Sequence, residues 1–187
     1  MRVIAGECKG RHLHAMIGQG TRPTADRVKE SVFNILGPFF AGGAVLDLFA
    51  GTGALGIEAL SRGVGFAHFI EKDPQAVQMV RENVKRCGFE DKCSIWKDDA
   101  QRAIARLASL EQRFDLVFLD PPYRYLLVPS MIDQLQQRGL LSEGATIVSE
   151  HDSKVELPGQ ILQFTRFRLN QYGSTSVSFY HQGGGVT

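Results

Sequence analysis

The stretch V-L-D-L-F-A-G-T-G-A-L-G, from Val45 to Gly56, decides the architecture. Val45, Leu46 and Leu48 form the short apolar run of a strand covered on both faces. Beyond the glycines, Ala54, Leu55, Ile57, Ala59 and Leu60 recur at helical spacing. A buried strand therefore runs into a glycine turn and then into a helix. Glycines let backbone N–H groups approach a ligand where a Cβ would clash, and the helix N-terminus behind them adds a partial positive charge. Such a turn makes a nucleotide-type site at the carboxyl end of a strand.

Gly51, Gly53 and Gly56 match the spacing G-x-G-x-x-G, and Glu71 follows at the distance of a ribose-binding acid, so a nicotinamide dinucleotide is one reading. Asp47 argues against it, because a carboxylate at the end of the strand would repel a pyrophosphate. S-adenosylmethionine has the opposite needs. Its α-ammonium and sulfonium are cationic, its carboxylate can meet the turn amides, and its ribose diol can still use Glu71. A plain strand-to-helix turn, with Asp47 solvated or capping, would leave the same letters without any ligand.

Outward from this stretch the pattern alternates between strand and helix. Phe66 to Ile70 reads as a second strand ending at Glu71, and Pro74 opens a helix that closes near Gly88. Ser94 to Trp96 is a third strand, followed by Asp98-Asp99-Ala100 and a helix marked by Ile104, Leu107 and Leu110. Phe114 to Leu119 is a fourth, apolar strand, Met131, Ile132 and Leu135 mark a helix, and Ala145 to Ser149 is a fifth strand. Repetition of this kind specifies a doubly wound, mostly parallel α/β sheet with right-handed crossovers. At the end, runs around Phe164 to Leu169 and Val177 to Phe179 flank Tyr172-Gly173-Ser174 as a hairpin. Apolar parity shifts between Phe164 and Phe167, which predicts a bulge.

Residues 1–43 differ in texture from the rest. Arg2, Lys9, Arg11, Arg22, Arg27 and Lys29 face only Glu7, Asp26 and Glu30. Val3 to Ala5 and His12 to Met16 suggest a short hairpin. The segment Thr21-Arg22-Pro23-Thr24 should be extended, with Thr24 capping a helix whose apolar face is Val28, Val32, Phe33, Ile35 and Leu36. The chain is thus expected to comprise an N-terminal extension over 1–43, one α/β domain over 44–182 and a tail over 183–187.

At 187 residues and 43% hydrophobic, the chain suits one globular core, and a net charge of +1 confines any basic surface to a local patch. Cys8, Cys87 and Cys93 lack metal-site spacing and are odd in number, so neither a zinc site nor a disulfide framework is expected. With no export signal and no membrane-length apolar run, the expectation is a soluble cytoplasmic monomer without a metal.

The most specific chemistry lies in Asp120-Pro121-Pro122-Tyr123, at the carboxyl end of the fourth strand, where open α/β sheets bind ligands. The prolines fix the backbone, so the Pro121 carbonyl and the Asp120 carboxylate offer two acceptors to one planar NH₂ group. An exocyclic base amine is a poor nucleophile because its lone pair is delocalised. Acceptors that hold its hydrogens favour the pyramidal amine of the transition state, with its lone pair aimed at a sulfonium methyl. Tyr123 can stack on the base. A proline turn with an aspartate cap is the bland alternative.

These residues resemble the class I S-adenosylmethionine-dependent N-methyltransferases. Gly10-Arg11, T-R-P-T at 21–24, D-R-V-K-E at 26–30, F-N-I-L at 33–36, G-I-E-A-L-S-R-G at 56–63 and Y-G-S-T at 172–175 narrow this further. They resemble the bacterial 16S ribosomal RNA guanine-N2 methyltransferases of the RsmD type. The resemblance implies a seven-stranded Rossmann-like sheet with an antiparallel C-terminal hairpin, and transfer of one methyl to a guanine amine of 16S ribosomal RNA in an assembling small subunit. It also implies cofactor contacts at Asp47, Phe49, Gly51, Gly53, Glu71, Lys72, Asp99 and Ala100, and RNA contacts at Arg22, Thr24 and Arg27. Adenine-N6 DNA and glutamine-N5 protein methyltransferases share the motif's chemistry. A non-catalytic RNA-binding module would leave Asp47, Glu71 and Asp120 unexplained together.

Overall fold

The computed structural model of the chain describes residues 1–15, 23–121 and 127–183, with the backbone alone for 23–25. It forms two compact units, Met1–Ala100 and Gln101–Thr187. The architecture is an α/β sheet with a parallel core and antiparallel C-terminal strands.

The first unit holds α1 (Pro23–Leu36), β1 (Ala44–Asp47), α2 (Ala54–Ser61), β2 (Phe66–Glu71), α3 (Pro74–Cys87) and β3 (Cys93–Lys97). The strands are parallel, with β2 between β1 and β3, Val45 beside Ala67 and Phe69 beside Ile95. Every residue of β1 is buried, as the apolar run foretold. Gly56 lets α2 lie close on β2, since a Cβ there would stand 2.3 Å from Phe69 Cε1. The α3 helix starts with Pro74 at its first position, and the Asp73 carboxylate accepts from the Gln75 and Ala76 amides at 2.9 Å. It ends on Gly88 in the left-handed conformation, φ 71°.

The N-terminal segment departs from expectation in three ways. The hairpin shrinks to one antiparallel bridge, Arg2 with His12, and Met16 lies outside the described residues. The physical reason is competition for the backbone. Ile4 and Ala5 donate their amides to the Glu58 carboxylate at 2.8 and 3.0 Å, and His14 donates to Asn83 Oδ1 at 2.7 Å. Helix α1 begins at Pro23, so Thr24 lies within its first turn and not at its cap. Lys29, counted above among the basic groups of the extension, is buried against Glu58.

The second unit contains most of α4 (Ala100–Ala108), then β4 (Phe114–Leu119), α5 (Leu127–Gln137), β5 (Leu141–Asp152), β6 (Gln160–Ile161), β7 (Phe164–Tyr172) and β8 (Thr175–Gln182). Strands β4 and β5 run parallel, β8 pairs antiparallel with both β5 and β7, and β6 pairs antiparallel with β7. Among the described residues, the two-residue β6 brings the strands to eight where seven were expected. The predicted bulge is present, as a register shift between Arg166 and Arg168 that leaves Phe167 46% exposed.

Candidate active site

In the first unit the carboxyl ends of three parallel strands carry the acids that the sequence singled out. Asp47 closes β1 and is almost wholly buried, with Oδ2 accepting from the Gly56 amide at 3.2 Å. Gly51 and Gly53 both have left-handed backbones, φ 54° and 76°, in a turn closed by Gly53 N to Ala50 O at 2.6 Å. Glu71, at the end of β2, spans the turn. Its Oε2 accepts from Gly51 N at 2.9 Å and its Oε1 from Asp73 N at 2.9 Å. Beyond β3, Asp98 N donates to Glu71 O at 3.0 Å, and Asp99 precedes Ala100 at the start of α4. Phe49 is half-buried beside the turn, and Lys72 is exposed next to Glu71.

This arrangement fits S-adenosylmethionine. A Cβ built on Gly51 would meet nothing within 4 Å, so the turn has open space above it. Two carboxylates end the adjacent strands, Asp47 buried beneath the turn's helix and Glu71 on the turn itself, which suits a cationic methionine end and a ribose diol and disfavours a pyrophosphate. Each oxygen of Glu71 accepts one amide in the lone chain and retains capacity for a hydroxyl.

Sequence reasoning missed two buried polar residues, one that braces this turn and one that ties the extension to α2. Asn83 is fully buried in α3, and its Nδ2 donates to Thr52 O at 2.9 Å and to His14 O at 3.1 Å. Glu58, fully buried in α2, accepts from Lys29 Nζ at 3.0 Å and Arg62 Nε at 2.8 Å besides the two amides of the extension. The one signal available was Glu58 on an otherwise apolar face, a position where an unpaired carboxylate would be prohibitive.

In the second unit Asp120 follows directly on the buried Val117-Phe118-Leu119 run of β4, with Pro121 half-buried beside it. Asp120 is exposed by surface area, yet protein atoms crowd its carboxyl, and this crowding raises its pKa to about 6. The crowding, not the water contact, sets the direction. Glu150 of β5 is pushed up to about 7, by burial first and then by the Asp120 charge. Pro122 and Tyr123, assigned above to base alignment and stacking, lie outside the described residues, as does Arg22. Only the backbone of Thr24 is described, and Arg27 is exposed on α1.

A family model described as conserved hypothetical protein 95 matches residues 1–181. YlbH of Bacillus subtilis (strain 168) is 44% identical over 184 residues, covering 98% of this chain and 100% of that protein. The ribosomal RNA small subunit methyltransferase D of Escherichia coli (strain K12) is 34% identical over 182 residues, covering 97% of this chain and 90% of that one. The chain belongs to this family, that of ribosomal RNA small subunit methyltransferase D. Among solved structures, a conserved hypothetical protein of Streptococcus pyogenes is 40% identical, covers 83% of this chain and 95% of its own, and superimposes with a TM-score of 0.78. These likenesses run through both compact units, so the family spans the N-terminal extension as well as the strands that follow. Among the described residues, no helix is long and apolar enough to cross a membrane.

Proposed function

We propose that this family member transfers a methyl group from S-adenosylmethionine to the exocyclic N2 amine of a guanosine in 16S ribosomal RNA. The observation that carries the reading is Asp120, a crowded carboxylate at the end of a buried strand, in a chain that matches a ribosomal RNA methyltransferase over nearly its whole length. The cofactor supplies an electrophilic methyl, so the protein's work is to hold and orient an amine. Asp120 and the Pro121 carbonyl accept its two hydrogens, which favours the pyramidal nitrogen of the transition state. Asp47, Phe49, Gly51 and Gly53 hold the methionine part, Glu71 and Lys72 the ribose, and Asp99 with Ala100 the adenine edge. Tyr123 stacks on the target base, which must leave its helix or already be unpaired.

In this reading residues 1–43 form an RNA-holding extension on a methyltransferase domain at 44–182. The protein acts in the cytoplasm as a monomer on an assembling small subunit. Arg22, Thr24 and Arg27 contact the RNA backbone. With Lys29 committed to Glu58, the exposed cation left on α1 is Arg27. Reversing the charge of Arg22 and Arg27 should weaken RNA binding and flatten its salt dependence while cofactor affinity changes little.

Two measurements test the reaction. Mass mapping of 16S ribosomal RNA from cells with and without the protein should show one N2-methylguanosine disappearing. Single-turnover transfer at saturating cofactor should fall on the order of 10²–10³-fold in Asp120→Ala, the usual effect of deleting one transition-state contact. A near-wild-type rate would return D-P-P-Y to a structural turn, and a modified adenine would favour the DNA-type alternative.

A further inference from the structure

Glu150 belongs to no motif in the sequence, yet strand register sets it beside Asp120. Leu119 of β4 pairs with Ser149 of β5 in a parallel ladder. The next residues, Asp120 and Glu150, therefore stand side by side where β4 ends, on the same side of the sheet. On its other flank Glu150 meets Val177 of β8, which brings no charge. We propose that Glu150 is a positioning residue for Asp120, and that the two form a carboxyl pair holding one proton between them. The inference rests on the reading of Asp120 as the amine-aligning acid.

The described residues around the pair have partners or directions of their own. On β5 itself, Asp152 lies two residues along on the same side and accepts from the Lys154 amide at 2.8 Å. His151, between them, points to the opposite side and bonds Ser178 Oγ at 3.0 Å. Helix α5, packed against β5, carries Asp133, whose Oδ1 accepts from Gln137 Nε2 at 2.7 Å. Asp120 is thus the acid facing Glu150 from the neighbouring strand, and the directions of both shifts agree with a pair that gives up its protons in two steps.

A shared proton gives Asp120 two properties that a solvated carboxylate lacks. The protonated Glu150 can donate to one Asp120 oxygen, which fixes the carboxylate and leaves the other oxygen for the amine. The pair also has room for one more proton. When the guanine nitrogen bonds to the methyl carbon, the carbon–sulfur bond breaks with its electrons going to sulfur. The nitrogen becomes cationic and passes a proton to Asp120, and the pair then releases a proton to water.

The test combines a titration and a rate profile. Carbon-13 NMR of the free protein should show Asp120 and Glu150 titrating as a coupled pair well above ordinary carboxylates, and Glu150→Gln should leave Asp120 as a single step at lower pH. Single-turnover methyl transfer by Glu150→Gln, whose amide can still donate to Asp120, should stay within about threefold of wild type at about pH 6.5, where the wild-type pair still holds its proton, and lose the upper step of the pH profile. Glu150→Ala should be about tenfold slower at the same cofactor affinity. Independent titration of the two carboxyls, or a Glu150→Gln pH profile that superimposes on wild type, would overturn the pair whatever the activity. A coupled titration in a protein that methylates no guanosine would instead sink the functional reading and leave the pair standing.

Discussion

Lys29 Nζ lies 3.0 Å from Glu58 Oε2, and both side chains are almost completely shielded from water. Burial lowers the Lys29 pKa, and the Glu58 charge opposes that shift. Glu58 also neutralises Arg62 and accepts two amides of the extension, so a single carboxylate fastens α1, α2 and residues 4–5. Its removal strands two buried cations and two amides. Glu58→Ala should therefore lose about 3–5 kcal/mol of stability, as for other broken buried pairs. Lys29→Met should lose clearly less, because Arg62 still faces the acid. Urea midpoints decide the matter, and equal, small losses would contradict the shared role.

Gly6 is the second fastening. A Cβ there would stand 1.7 Å from the Ser61 carbonyl oxygen, and its φ of +85° is strained for any L side chain. The contact is held by Glu7 N to Ser61 O at 2.7 Å and Cys8 N to Ser61 Oγ at 2.9 Å. Gly6→Ala should cost roughly 2–4 kcal/mol from backbone strain and overpacking together. Limited proteolysis should then cut first within the opening residues. Wild-type protection there would mean that the segment docks by other contacts.

For Glu71 the expected readout is affinity. Calorimetry with S-adenosylmethionine should find binding weakened by roughly 1.5–3 kcal/mol in Glu71→Ala, the loss expected for charge-assisted hydrogen bonds. Since Glu71 also holds Gly51 and Asp73, Glu71→Gln separates the two roles. It keeps one acceptor for the turn and removes the charge, so it should fall between wild type and alanine. An alanine variant that binds normally would reduce Glu71 to a loop brace.

The raised carboxyls have a consequence for stability as well as for rate. Asp120 and Glu150 bind protons more tightly folded than unfolded, so folding takes up protons between about pH 4 and pH 7. Stability should therefore fall as pH rises through that window. Glu150→Gln should melt higher than wild type at pH 8, and the difference should vanish near pH 4. A shift from 4.5 to about 7 limits the gain to about 3 kcal/mol. Melting curves that keep a constant offset across this range would show that burial does not perturb Glu150.

Elements whose cause is local were legible in the sequence. The buried β1 strand, the left-handed glycines after it and the Asp73-Pro74 start of α3 each follow from a few neighbouring residues. The bulge at Phe167 was legible too, because a parity slip is a local signal. What escaped depends on distant partners. The early part of β5 is interrupted by Glu143-Gly144, and β6 is two residues long, too short to show a period. Residues 1–15 read as a hairpin because nothing near them reveals that Glu58 and Asn83 will capture their amides. The burial of Lys29 against Glu58 was hidden for the same reason, and the Asp120–Glu150 adjacency is a product of strand register alone.

Asn83 bonds the Thr52 carbonyl of the glycine turn and both the amide and the carbonyl of His14. The leading segment is therefore not a detachable module. Exchanging residues 1–15 between family members would exchange one half of an interlock whose other half lies on α2 and α3. A chimera should work only if positions 58, 61 and 83 travel with the graft. Residues on α2 and α3 would then limit how freely evolution, or an engineer, can trade one leading segment for another.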